Sequence, residues 1–377
     1  MYGYNSFYTH FLMFYLIYGA LIYVLYKASK SNKKKSCSNS LPYVLFLALP
    51  LYLLGIFRGD TVGGDLYNYL LYFDVICIKN KFADIWDVSS HEPGYRIFTY
   101  IISCISKSHR AFLIGTFTLS FIGPVYLIYK FSKMPLFSYV LYYALGFYTN
   151  TFNNVRQSIA ISICFLSIGF LLNRDFRKFL LTVLFALMFH YSAVFFLFLY
   201  PLINKQITFK NVTFVLGGGI ILYFAASISI VSLLLNVLAF KYDAESILAS
   251  SEGKGWGLFV LFILILIGEL LLFSRIKEKD SKNKVTFFIW LQIMAILCQM
   301  YAPLFSSMVR LASYFFIPII IAIPYYACCF KKIRPIIITA GVALGILYLG
   351  KVYSKNDSTG SNSQAVIPYV FIDKKIY

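Results

Sequence analysis

Arg156 is the residue whose surroundings most strongly imply chemistry. It stands in Asn153-Asn154-Val155-Arg156-Gln157-Ser158, at the head of an apolar run that continues to about residue 173. Asn153 or Asn154, placed before a helix, can accept from the free N–H groups of its first turn. The remaining N–H groups and the positive helix end then attract an anion. A guanidinium adds a planar fork that matches phosphate oxygens, and Gln157 adds neutral donors. The bland alternative is an arginine lifting its charge to the headgroups from a helix end. The Asn-Asn-x-Arg-Gln setting favours the anion site.

Three further groups of residues could act beside it. Arg58-Gly59-Asp60-Thr61-Val62-Gly63-Gly64-Asp65 gathers an arginine and two carboxylates in a glycine-rich turn. It is either a solvated helix-end turn or a place where Asp60 or Asp65 binds sugar hydroxyls or acts as a base, which requires some desolvation. His91-Glu92-Pro93-Gly94-Tyr95 presents Glu92 at a tight turn. A glutamate there is also favoured by the helix dipole alone. His190 lies inside the apolar run 179–200, at a depth where an ionisable group faces a cavity or a partner. Arg310 opens a later run, and two arginines at helix mouths could clamp a diphosphate. A lone histidine is more often structural, and a lone arginine more often an anchor. None of His10, His91, His109 and His190 has ligand spacing with another, so no metal is expected and no cofactor is implied.

The elements that must position these residues are helices in a membrane. The chain is 60% apolar and only 13% charged, against about a quarter charged in soluble domains. Runs such as 11–26, 179–200, 257–273 and 311–330 approach the roughly 20 residues that cross a bilayer, and they lack the alternation of a β-barrel. The expectation is an all-α polytopic protein with about 10–12 transmembrane helices in one domain over 1–377. The run at 97–106 is too short to cross and reads as re-entrant or interfacial. The run at 212–239 is long enough for one tilted span or a span plus a half-helix.

The net charge of +19 does not point to nucleic acid. About half of the 34 Lys and Arg lie in short loops at 27–35, 130–133, 174–178, 275–284 and 331–334, which the positive-inside rule places in the cytoplasm. The loops at 58–96, 150–156 and 303–310 and the tail 351–377 then fall outside. Lys107 and Arg110 argue the other way. The cytoplasmic loops are too short to hold a nucleotide-binding domain. The seven cysteines form no Cys-x-x-Cys pair. Abundant Lys, Asn, Ile, Phe and Tyr suggests an AT-rich bacterial genome.

In order along the chain, Gly-Gly-Asp-x-Tyr-x-x-Tyr is followed by Glu-Pro-Gly-Tyr, Asn-x-x-Arg-Gln-x-Ile-Ala, His-Tyr-Ser and Arg-x-x-x-Tyr-Phe. This resembles the EpsG-like branch of the Wzy-type oligosaccharide repeat-unit polymerases. The carrying positions are Gly64, Asp65, Tyr69, Glu92, Gly94, Tyr95, Asn153, Arg156, Gln157, His190, Arg310 and Tyr314, with Ile367-Pro368-Tyr369 as a weaker echo. The resemblance implies transfer of a glycan from undecaprenyl diphosphate to another lipid-linked repeat unit on the outer face of the bacterial plasma membrane. Arg156 and Arg310 would hold the diphosphate. Asp65, Glu92 or His190 would take the acceptor proton. Tyr69, Tyr95 and Tyr314 would orient sugar rings. Its partners would be the lipid-linked oligosaccharide, membrane lipids and a chain-length regulator. The rivals are a flippase of lipid-linked sugars, which would expose its site to both faces, a glycan ligase, and a non-catalytic scaffold.

Overall fold

The structure is a computed structural model, and it describes residues 11, 13–24, 40–79, 81–226, 256–305, 307–354 and Tyr369. The later part of the 212–239 run, most of the tail and Ile367-Pro368 lie outside the described residues. The described chain is all-helical. Among the described residues six helices are long and apolar enough to cross a membrane, and four shorter apolar helices accompany them. In the window Trp256–Phe273 only 17% is buried against the described protein, and a bilayer is a solvent that suits such a long apolar surface. The chain is therefore a multi-pass membrane protein.

Cα packing divides the chain into two units: one of Met1–Val194 with Ile320–Tyr377, the other of Phe195–Ile319. In the first unit the helices are α1 (Met13–Val24), α2 (Leu41–Ile56), α3 (Leu66–Lys79), α4 (Pro93–Ile105), α5 (His109–Phe131), α6 (Pro135–Ala144), α7 (Phe147–Asn153), α8 (Val155–Leu172) and α9 (Phe176–Leu187). Pro93 and Pro135 sit at helix starts, where a missing N–H costs nothing. Helix α8 packs against both α5 and α9, and α2 against α5. Between α5 and α7, Phe117 meets Tyr148 and Phe152, with Phe121 stacked on Phe117 and Tyr148 edge-on to Phe152. Gly123 lets α5 approach α8 until its N–H donates to Ser162 Oγ at 2.7 Å. In the second unit, α10 (Leu199–Leu202) and α11 (Phe209–Ala226) precede α12 (Trp256–Phe273), α13 (Lys279–Met300) and α14 (Ser307–Phe316). There α13 packs on α12 and α14, with Gln292 Nε2 donating to the Phe262 carbonyl at 2.9 Å. Helices α15 (Ile319–Cys329) and α16 (Arg334–Ser354) complete the chain.

Four expectations about elements need correction. The hydrophilic stretch 58–96 is not one loop: it carries α3 and a 3₁₀ turn at Ala83–Trp86. Its apolar residues Leu66, Tyr69, Leu70 and Phe73 recur at helical spacing and bury one face of α3. Residues 150–153 and 155–156 are helical as well, because the run from 134 breaks at Gly146 and resumes as α7, which ends one residue before α8. The run 179–200 is interrupted at 188–190, so His190 sits in a helix break rather than in mid-helix. Neither Asn153 nor Asn154 caps α8. Asn154 precedes it without a capping bond and donates from Nδ2 to Asn150 Oδ1 at 2.8 Å.

Candidate functional site

Two close approaches build the site in the first unit. At Gly63 the backbone takes φ +133°, a region closed to most side chains, and an added Cβ would run into the Phe152 carbonyl. This seats the 58–65 turn on the elbow between α7 and α8, where the Gly64 N–H donates to Asn153 Oδ1. At Gly94 an added Cβ would meet Met188 Cβ at 2.7 Å and its carbonyl oxygen at 2.9 Å. The head of α4 thus lies against the break after α9, and the Tyr95 N–H donates to the Met188 carbonyl at 3.2 Å. The first contact brings the turn to α8. The second brings Glu92 to His190.

Glu92 is the hub. It is 2% exposed. Arg156 Nη1 donates to its Oε2 at 2.5 Å, and His190 Nδ1 lies 3.1 Å from its Oε1. Burial by itself pushes the Glu92 carboxyl up. The hydrogen bond from His190 and the charge of Arg156 overcome that and bring it down from 4.5 to about 2. Glu92 is therefore a carboxylate at neutral pH with both oxygens engaged. Facing an anion, His190 Nδ1 carries the proton, which leaves Nε2 as the basic atom. Arg156 also lies over the Tyr69 ring, its Cζ 5.9 Å from the centroid. Arg156 Nε and Asn153 Nδ2 are buried donors without a hydrogen-bond partner among the described residues. Such orphans are costly in a finished interior and point to a ligand or water.

The remaining expected site residues divide by burial. Asp65 is partly exposed on the turn. Asp60 bonds to His109, whose ring also reaches Asp74. Arg58 is 1% exposed, with its guanidinium 4.6 Å from the Phe152 ring centroid and its Nη1 donating to the Gly55 carbonyl at 3.1 Å. Burial draws its pKa down to about 10. Arg58 is thus packed inside the protein. Its carbonyl and that of Ile56 both accept from Arg110 Nη1 at 2.7 Å, a cation closing the carbonyl end of α2. Gln157, Tyr69 and Tyr95 are buried, and Tyr95 packs edge-on to Tyr69 with centroids 5.9 Å apart. Arg310, exposed, and Tyr314, buried, lie on α14 in the second unit. As they stand, the three tyrosines present no open face to a sugar ring. His109, Asp74 and Arg110 were not picked out as site residues from sequence. No spacing signal connects them, since His109 meets Asp74 across 35 positions. Among the described residues no group of three or more His, Cys, Asp or Glu is arranged to hold a metal ion.

A buried carboxylate between a half-buried guanidinium and imidazole at helix ends, set among apolar spans, marks a polytopic membrane protein with a charged site among its helices. The model of the EpsG family matches residues 41–371, which include the whole cluster, and the chain belongs to that family. It is a multi-pass membrane protein of the polysaccharide-polymerase type. No curated protein and no solved structure matches the chain.

Proposed function

We propose that the protein polymerises undecaprenyl-diphosphate-linked oligosaccharide repeat units into O-antigen, capsule or exopolysaccharide on the extracytoplasmic face of a bacterial plasma membrane. The observation that carries this reading is the Arg156–Glu92–His190 cluster inside an EpsG-family membrane protein.

The reaction places two demands on the site. An acceptor hydroxyl attacks the anomeric carbon of the donor glycan, the bond from that carbon to the diphosphate breaks, and the lipid diphosphate leaves with the electron pair. Its growing negative charge is stabilised by cations already in place where water is scarce. Arg156 supplies one, with Glu92 holding one nitrogen of its fork and Nε left to donate. Arg310, on α14, is a second cation to test for the diphosphate. The acceptor proton goes to His190 Nε2, with Glu92 orienting the ring and stabilising the imidazolium. Glu92 itself orients and does not take the proton, because both oxygens are committed. Asp65, the partly exposed carboxylate, contacts sugar hydroxyls and is the second acceptor to test. Tyr69 and Tyr95 support Arg156 from below and reach a sugar only if the helices part.

A deletion strain tests the reading through a gel of its surface polysaccharide. Loss of a polymerase leaves single repeat units at the surface, and that is the result expected. Complete absence of surface glycan would instead assign the protein to transport.

A further inference from the structure

His109 is the chemistry-bearing residue that the cluster leaves out. It opens α5. Its Nδ1 lies 2.6 Å from Asp60 Oδ2 and its Nε2 lies 2.7 Å from Asp74 Oδ1. A neutral imidazole has one N–H, so only the imidazolium donates to both carboxylates at once. The three residues come from three places: the turn after α2, helix α3 and the head of α5. The ring therefore ties the two limbs beside the 58–65 turn to a long span. That turn carries Asp65 and the Gly64 N–H, which donates to Asn153 three residues before Arg156. The clamp is partly open to solvent, with side-chain exposures of 33% for His109, 28% for Asp60 and 45% for Asp74, so protons reach it.

We propose that His109 is a charged positioning residue of the transfer site: held between Asp60 and Asp74, it fixes the 58–65 turn in the register that seats Gly64 on Asn153 and sets Asp65 beside the Arg156 cluster. This rests on reading that cluster as the place of glycosyl transfer. Several other charged or titratable groups face the clamp. Arg58 and Arg110 act on the Asp60 side, and Lys107 and Cys77 on the Asp74 side. The Phe73 ring, with its centroid 6.4 Å from that of His109, lies along α3. Removing one ring proton sets a lone pair against a carboxylate and opens one of the two links. The turn then loses its tie either to α5 or, through the ring, to α3.

Two measurements test this. The first is the rate of transfer against pH in proteoliposomes supplied with a lipid-linked repeat unit, for wild type, H109Q, D74N and R156K. Wild type should lose rate on an alkaline limb. H109Q should be slower by about tenfold to a hundredfold, the scale of a small misplacement at a reacting centre, and should lack that limb. The second reads the ring itself, and so remains decisive where H109Q fails to fold. Nitrogen-15 histidine spectra of the wild-type protein in nanodiscs, assigned with His10, His91 and His190 variants, should show His109 with both ring nitrogens protonated at the pH of maximal transfer. H109Q at wild-type rate with the limb intact, or a neutral His109 ring, would overturn the clamp. A rate indifferent to R156K alongside a doubly protonated His109 would instead strike the transfer-site reading and leave the clamp standing.

Discussion

Glu92 governs the behaviour of the cluster because its two oxygens meet a guanidinium and an imidazole. Removing its charge leaves Arg156 facing an amide inside the protein. Breaking one side of a buried pair costs about 3–5 kcal/mol. Glu92→Gln should therefore lower the unfolding temperature as well as the transfer rate, and a thermal melt of the purified variant checks it; an unchanged melt would show that the pair contributes nothing. The pH consequence follows from the sign of the shift. The folded carboxyl, at about 2, lies below its unfolded value. The stability it contributes is fully present above the ordinary value of 4.5 and is lost only as pH falls toward about 2. From about pH 5 to 8 Glu92 does not change state, so a rate limb in that window belongs to another group and should survive in Glu92→Gln. Arg156 and Glu92 were legible by type and by position at a helix end, and His190 by type within an apolar run. Their meeting was not, because Arg156 and His190 lie 64 and 98 positions from Glu92.

At the scale of elements, the site depends on where helices stop. Composition showed the apolar runs plainly. It did not show the interruption at 188–190, because Met188-Phe189-His190 contains no glycine or proline to announce it. It also hid α3, whose half-polar surface reads as a loop when spans are sought by length. The missing caps at Asn153 and Asn154 have a similar cause: both amides have longer-range or preceding-turn partners that local spacing cannot reveal. Gly94 offers the sharpest test at this scale. Gly94→Ala puts a methyl against Met188 and should shift the head of α4, costing about 1–3 kcal/mol by overpacking and moving Glu92 off His190. The expected outcome is a shortened polymer ladder at normal membrane abundance. A ladder of normal length would mean that the α4 contact is not required.

Over the whole molecule, the all-helical fold and the multi-pass membrane setting were readable from charge and apolar content alone. Which runs pack with which was not, since apolar runs look alike whichever neighbours they meet. The sidedness assigned from basic loops is open to direct measurement. In a cysteine-free background, Thr61→Cys lies on the exposed part of the 58–65 turn and should react with an impermeant maleimide added to intact cells. Labelling only after the membrane is opened would place the turn, and the cluster beneath it, on the cytoplasmic face.

The most direct test of the account is the chain-length distribution made by the purified protein in proteoliposomes from an undecaprenyl-diphosphate-linked repeat unit alone. Wild type should yield a ladder of products with one lipid diphosphate released per linkage. Arg156→Lys, which keeps the charge but loses the fork, should cut the rate by about a hundredfold. A wild-type protein that moves the lipid-linked unit across the bilayer without lengthening it, or an Arg156→Lys variant with the wild-type ladder, would contradict the account.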